Sequence, residues 1–166
     1  NEGKVGPRLL RIGAKVNASW LYRWVKSPKD YLPKTRMPDF SLDDKDALAV
    51  TAYLLEASEK NYVLPEKFTG GNPDNGKKLF ENVGCLACHE LKEKGEVFGP
   101  NLSRIGSKVN TDWLVSWLSN PKHYNDKSIM PNLRLTLAEA SDLTAYLMGF
   151  SQPELLPEIE ERVHDE

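Results

Sequence analysis

The sequence predicts an all-α protein built from two copies of one small helical unit, the second complete and the first partial. Three observations carry this. The clear apolar periodicities are helical, no stretch alternates convincingly with period two, and the first half falls on the second without a gap when shifted by 93 residues. Of the 49 positions aligned from Gly6 to Leu54, 24 are identical. Gly6-Pro7 lies on Gly99-Pro100, Arg11-Ile12-Gly13 on Arg104-Ile105-Gly106, and Lys15-Val16-Asn17 on Lys108-Val109-Asn110. Trp20-Leu21 and Trp24 lie on Trp113-Leu114 and Trp117, Tyr31 on Tyr124, Met37-Pro38 on Met130-Pro131, and Thr51-Ala52-Tyr53-Leu54 on Thr144-Ala145-Tyr146-Leu147.

Three core helices are expected in the complete unit. Asn72-Pro73 opens the first, which runs to about residue 83, and proline is tolerated at the first helical position because its missing N–H has no partner there anyway. The second covers about 111–119, where Trp113, Leu114, Trp117 and Leu118 share one face. The third runs over about 136–148, with Thr136 and Glu139 as a capping box and Gly149 as its C-cap. The first half repeats the last two, near 18–26 and 43–57. Long loops rich in Gly, Pro and Asn lie between. In a small domain such loops count against an assignment unless they wrap a large apolar cofactor. The expected organisation is a partial domain at 1–57, a linker at 58–71 with Pro65, Gly70 and Gly71 as breakers, a complete domain at 72–150 and an acidic tail at 151–166.

Composition narrows the classes. The chain has 166 residues, 40% of them hydrophobic, and a net charge of −2, so no global field points to nucleic acid or to a membrane surface. The balance is uneven: net +3 over residues 1–71, 0 over 72–150 and −5 over 151–166, so the tail reads as a solvated or partner-facing extension. No apolar run approaches the ~18 residues of a membrane span. No signal peptide is visible, and a start at Asn1 without Met reads as a mature form or a fragment.

The two cysteines belong to Cys85-Leu86-Ala87-Cys88-His89, the spacing of a c-type haem attachment sequence. Two thiols one helical turn apart add to the two vinyl groups on one edge of the porphyrin, and the adjacent imidazole projects to the iron. Zinc is the main rival, but it would need four ligands, and beyond the motif there are only His123 and His164. A thioredoxin-like pair is the other rival, without a βαβ pattern around it. For the sixth ligand, Met148 sits among core residues of the third helix, whereas Met130 sits in a loop stiffened by Pro131. His123 competes, but the first copy keeps Met37-Pro38 at the Met130 position and has Asp30 at the His123 position, which favours Met130. Trp113 and Trp117 have two readings, core packing over the cofactor or an indole N–H reaching a propionate. Arg104 likewise faces a propionate or is a solvated surface residue. Phe80 and Tyr146 are expected to cross where the first and third helices meet.

At these residues the sequence resembles the class I cytochrome c family. The resemblance covers Asn72 to Gly149, and Gly6 to about Ala57 without the front part. It is carried by Gly76…Phe80, the Cys85–His89 motif, Gly99-Pro100, Met130-Pro131 and the closing helix with Tyr146. It implies three core helices around one haem c, with His89 proximal, Met130 distal, and the carbonyl of Pro100 accepting a hydrogen bond from the His89 ring. The tandem layout looks like the di-haem c-type subunits of respiratory oxidoreductases. The equivalents of the attachment motif in the first copy fall just before Asn1. The expectation is therefore a second haem with Met37 as its distal ligand, weighed against a shortened, haemless packing domain.

With both axial positions filled, such a site transfers electrons rather than activating a substrate, and the soft Met ligand raises the potential. The expectation is an electron carrier or the carrier subunit of a membrane-bound oxidoreductase complex, with redox proteins as partners, no nucleic acid and no direct membrane span, in the periplasm or another extracytoplasmic compartment. A di-haem peroxidase-like enzyme and a haem-based sensor or docking module are the alternatives.

Overall fold

The structure is a computed structural model. It describes residues 6–60 and 62–152, which divide into two units on either side of Tyr62 and Val63. The expected acidic tail lies, from residue 153 onward, outside the described residues.

The first unit holds α1 (Ile12–Lys15), α2 (Ala18–Lys26), α3 (Pro28–Tyr31) and α4 (Asp44–Glu56). The second holds α5 (Pro73–Asn82), a 3-10 turn at Cys85–Ala87, a hairpin of β1 (Glu90–Leu91) and β2 (Lys94–Gly95), then α6 (Ile105–Lys108), α7 (Thr111–Ser119), α8 (Pro121–Tyr124) and α9 (Leu137–Met148). The helices α1, α2 and α3 recur as α6, α7 and α8 at the 93-residue offset. The all-α class stands, and the loops are more structured than the periodicity suggests. Pro28 and Pro121 each open a single helical turn, the latter with the Asn120 side chain accepting from the Lys122 N–H. The hairpin turns at Lys92 and Glu93, with φ of 49° and 65°. Two residues per strand are too few to leave a period-two pattern.

In the second unit α5 lies across α9, and this contact organises the core. Asn72 caps α5 by accepting from the N–H groups of Asp74 and Asn75. Gly76 is buried where a Cβ would collide with the carbonyl of Asp142 and with Cβ of Tyr146, so only glycine allows the helices this close. Phe80, 2% exposed, meets the Tyr146 ring at 5.5 Å and 56°. Trp113, Leu114, Val115 and Leu118 of α7 join Ala140, Leu143 and Leu147 of α9 in the same cluster. Helix α7 is apolar on its outer side too, because residues of the 58–71 segment cover it. Leu64 and Phe68 pack on the core, the Ser116 hydroxyl accepts from the N–H of Glu66 and donates to its carbonyl, and Asp112 accepts from the Phe68 N–H. The α9 capping box of Thr136 and Glu139 forms as expected. Gly149 is the C-cap, in right-handed rather than left-handed conformation (φ −65°).

The first unit buries Val16, Trp20, Leu21, Tyr22, Val25 and Ala47. Ser58, at the other end of the same 58–71 segment, accepts from the Gly13 N–H, and Arg11 pairs with Glu59 and lies over the Tyr62 ring. One face differs between the units. Val50 and Tyr53 on α4 are 38% and 68% exposed, whereas Leu143, at the Val50 position in α9, is fully buried under the packing that α5 completes.

Candidate functional site

The motif Cys85–His89 begins where Gly84, in left-handed conformation (φ 82°), ends the α5 segment and starts the 3-10 turn. The turn brings the N–H groups of Cys88 and His89 onto the carbonyl of Cys85 at 3.2 and 2.9 Å. Both cysteines are free thiols, Cys85 half-buried and Cys88 exposed. Burial pushes the Cys85 thiol up, so it stands protonated near neutral pH.

His89 is oriented from behind. Its Nδ1 lies 2.7 Å from the carbonyl oxygen of Pro100. A carbonyl only accepts, so Nδ1–H donates and the tautomer is set, leaving the Nε2 lone pair available for a metal. Gly99 allows this pairing, because a Cβ there would stand 2.5 Å from the ring Cε1 and 2.6 Å from Nδ1. The Gly99 N–H in turn donates to the Cys88 carbonyl at 2.6 Å, tying the loop back to the motif.

On the other loop Met130 is half-buried, and its N–H donates to the Ser128 hydroxyl at 3.2 Å. Its Sδ accepts from the indole N–H of Trp117 at 3.0 Å. Trp117 stacks on Trp113 (5.1 Å, 22°), and the Tyr124 ring sits edge-on to both. His123 is exposed on α8. The first unit repeats the aromatic group and the backbone bond of the methionine: Trp20 and Trp24 stack at 5.4 Å and 15°, Tyr31 stands edge-on to both, and the Met37 N–H donates to the Thr35 hydroxyl at 3.2 Å.

Of the sequence candidates, Cys85, Cys88, His89 and Pro100 come together in one constellation, while Met130 joins the aromatic group of Trp113. Arg104 is half-buried at the start of α6, and Trp113 is 4% exposed in the core. Sequence reasoning missed the part played by Gly99 at the His89 ring and the bond from Trp117 to Met130. The only signal for the second was that both residues recur in the repeat.

A planar apolar cofactor fits these residues. Val97 and Phe98, just before Gly99, are each 77% exposed, and Ile129, just before Met130, is 92% exposed. Large apolar side chains thus stand open next in sequence to Gly99 and Met130, an exposure that an apolar cofactor would relieve. Among the described residues no group of three or more His, Cys, Asp or Glu side chains is placed to hold a metal ion; His164 lies outside the described residues. Among the same residues no helix is long and apolar enough to cross a membrane.

The cytochrome c family model matches residues 73–151. A cbb3-type cytochrome c oxidase subunit CcoP of Helicobacter pylori is 38% identical over 86 residues, 48% of this chain and 28% of that protein. A nitric oxide reductase subunit of Stutzerimonas stutzeri is 26% identical over 83 residues, 46% of this chain and 57% of that protein. The chain thus spans little more than a quarter of the first relative's length and somewhat over half of the second's. No solved structure gives a significant match.

Proposed function

We propose that the chain passes single electrons through a haem c bound covalently at Cys85 and Cys88, with His89 and Met130 as axial ligands; the match of the cytochrome c family model to residues 73–151 supports this. Bound haem supplies a one-electron iron couple. The protein's own residues fix its surroundings. Pro100 holds the His89 tautomer, Gly99 leaves the ring room, and the Ser128 hydroxyl and Pro131 hold the loop that presents Met130. The observation that carries the reading is the bond from His89 Nδ1 to Pro100, which leaves Nε2 free for iron. With both axial positions filled there is no place for a substrate, so the site serves transfer rather than catalysis. The similarity to oxidase and reductase subunits supports a place in a membrane-bound respiratory oxidoreductase complex, exchanging electrons with redox protein partners. The attachment motif at Cys85–His89 and the similarity to oxidase and reductase subunits support an extracytoplasmic location.

The test is Met130→Ala. With Met130 as ligand, the variant opens the distal side, lowers the potential and binds CO in the reduced state. An unchanged spectrum would remove Met130 and bring His123 forward.

A second haem in the first unit is supported by two observations. The stacked Trp20 and Trp24 with Tyr31 edge-on match the group of Trp113, Trp117 and Tyr124, and Met37 stands at the Met130 position of the repeat. The α4 face at Val50 and Tyr53 stands open where α9 is covered by α5. In this reading a helix like α5 and an attachment motif complete the first unit in the native polypeptide, with Met37 as distal ligand. The intact mass of the native protein counts the covalent haems, and a count of one ends this part of the proposal.

A further inference from the structure

Ligation by Met130 requires only a sulfur presented to iron. The structure adds a donor aimed at that sulfur from α7, outside the loop that carries Met130. The indole N–H of Trp117 reaches Met130 Sδ at 3.0 Å, and both ends of the contact are held in place. Trp117 is clamped in its stack with Trp113 at 5.1 Å and by the edge of Tyr124 at 6.2 Å. Met130 is held by its N–H on the Ser128 hydroxyl, and Pro131 follows it with a fixed φ. A half-buried indole N–H needs an acceptor, and here the acceptor is a thioether rather than a carbonyl.

A thioether sulfur has two lone pairs, and a metal takes one. We propose that Trp117 is a positioning residue for the distal ligand, donating its N–H to the second lone pair of Met130. The bond draws electron density from the sulfur. Ferric iron depends on that density more than ferrous iron does, so the bond favours the reduced state and raises the potential. It also holds the sulfur at one orientation. This rests on the reading of Met130 as a ligand.

The test is made on the haem-loaded chain with three variants, Met130→Ala, Trp117→Phe, and Trp117 replaced by benzothienylalanine, which keeps the indole shape and puts sulfur in place of the N–H. The readouts are the reduction potential and the ferric methionine-to-iron charge-transfer band. The expected result is a lower potential and a shifted band in both Trp117 variants, with haem content unchanged. The isosteric variant separates loss of the N–H from loss of packing, and remains informative should Trp117→Phe fail to fold. An unchanged potential and band in the isosteric variant, alongside a spectrum that changes in Met130→Ala, would overturn the proposal and keep the ligand assignment. An unchanged spectrum in Met130→Ala would overturn the ligand assignment itself, and this inference with it.

Discussion

Gly76 of α5 packs directly on the backbone carbonyl of Asp142 in α9, with Cβ of Tyr146 closing the other side. Two backbones meet there, so neither side yields as a flexible side chain would. This contact holds the helix that leads into Cys85 against the helix that closes the domain. The position of the Cys85–His89 motif thus depends on a residue that lies outside it, nine positions earlier in the chain.

Gly76→Ala should destabilise the second unit by about 1–3 kcal/mol, as overpacking does in a close-packed core. Denaturant unfolding of the variant measures it. A change below a few tenths of a kcal/mol would show that the helices do not approach this closely.

The two repeats offer a matched pair. Leu143 is fully buried, so Leu143→Ala should cost about 2–5 kcal/mol. Val50, its equivalent, is 38% exposed, and Val50→Ala in this chain should stay within about 0.5 kcal/mol, as surface changes do. A cost well above about 1 kcal/mol for Val50→Ala would show that the α4 face at Val50 is covered.

Gly99→Ala should push on the His89 ring, because the new methyl would lie 2.5 Å from Cε1. The ring must turn away from Pro100 or the loop must move. The variant is expected to show an altered haem spectrum and a shifted potential. Wild-type values for both would mean that the loop relaxes without disturbing the imidazole.

Thr136→Ala removes the hydroxyl that accepts from the Glu139 N–H and should cost about 1 kcal/mol. Glu139 accepts from the N–H and hydroxyl of Thr136 in return, and the backbone N–H first, then the hydroxyl, hold its carboxyl below the usual range. A lowered carboxylate pKa means that the contribution is present above the ordinary Glu range and is lost as pH falls through the lowered value. Stability against pH should therefore fall less steeply in acid for Glu139→Gln than for wild type. Identical acid limbs would show that the box adds nothing.

Much of the candidate site is legible in residue order because its chemistry is local. The thiols of Cys85 and Cys88 and the imidazole of His89 lie within five residues, and one turn suffices to arrange them. Helix starts were legible for the same reason, since Asn72 and Thr136 satisfy N–H groups only two or three residues away. The repeat added what one copy could not, pointing to Met130 by the company of Met37 and Pro38. The one-turn helices and the two-residue strands were not legible, because elements that short leave no period.

By itself, then, the sequence determined the repeated all-α unit, the attachment motif and the candidate ligands, each encoded in neighbours along the chain or in a copy 93 residues away. Only the tertiary structure decided which distant groups meet. It placed the Trp117 N–H on the Met130 sulfur across 13 residues, Ser116 on the backbone of Glu66 across 50, and Gly76 on Asp142. These contacts depend on how closely and at what angle helices cross. That is set by the packing of the whole core, and no local pattern of residues records it.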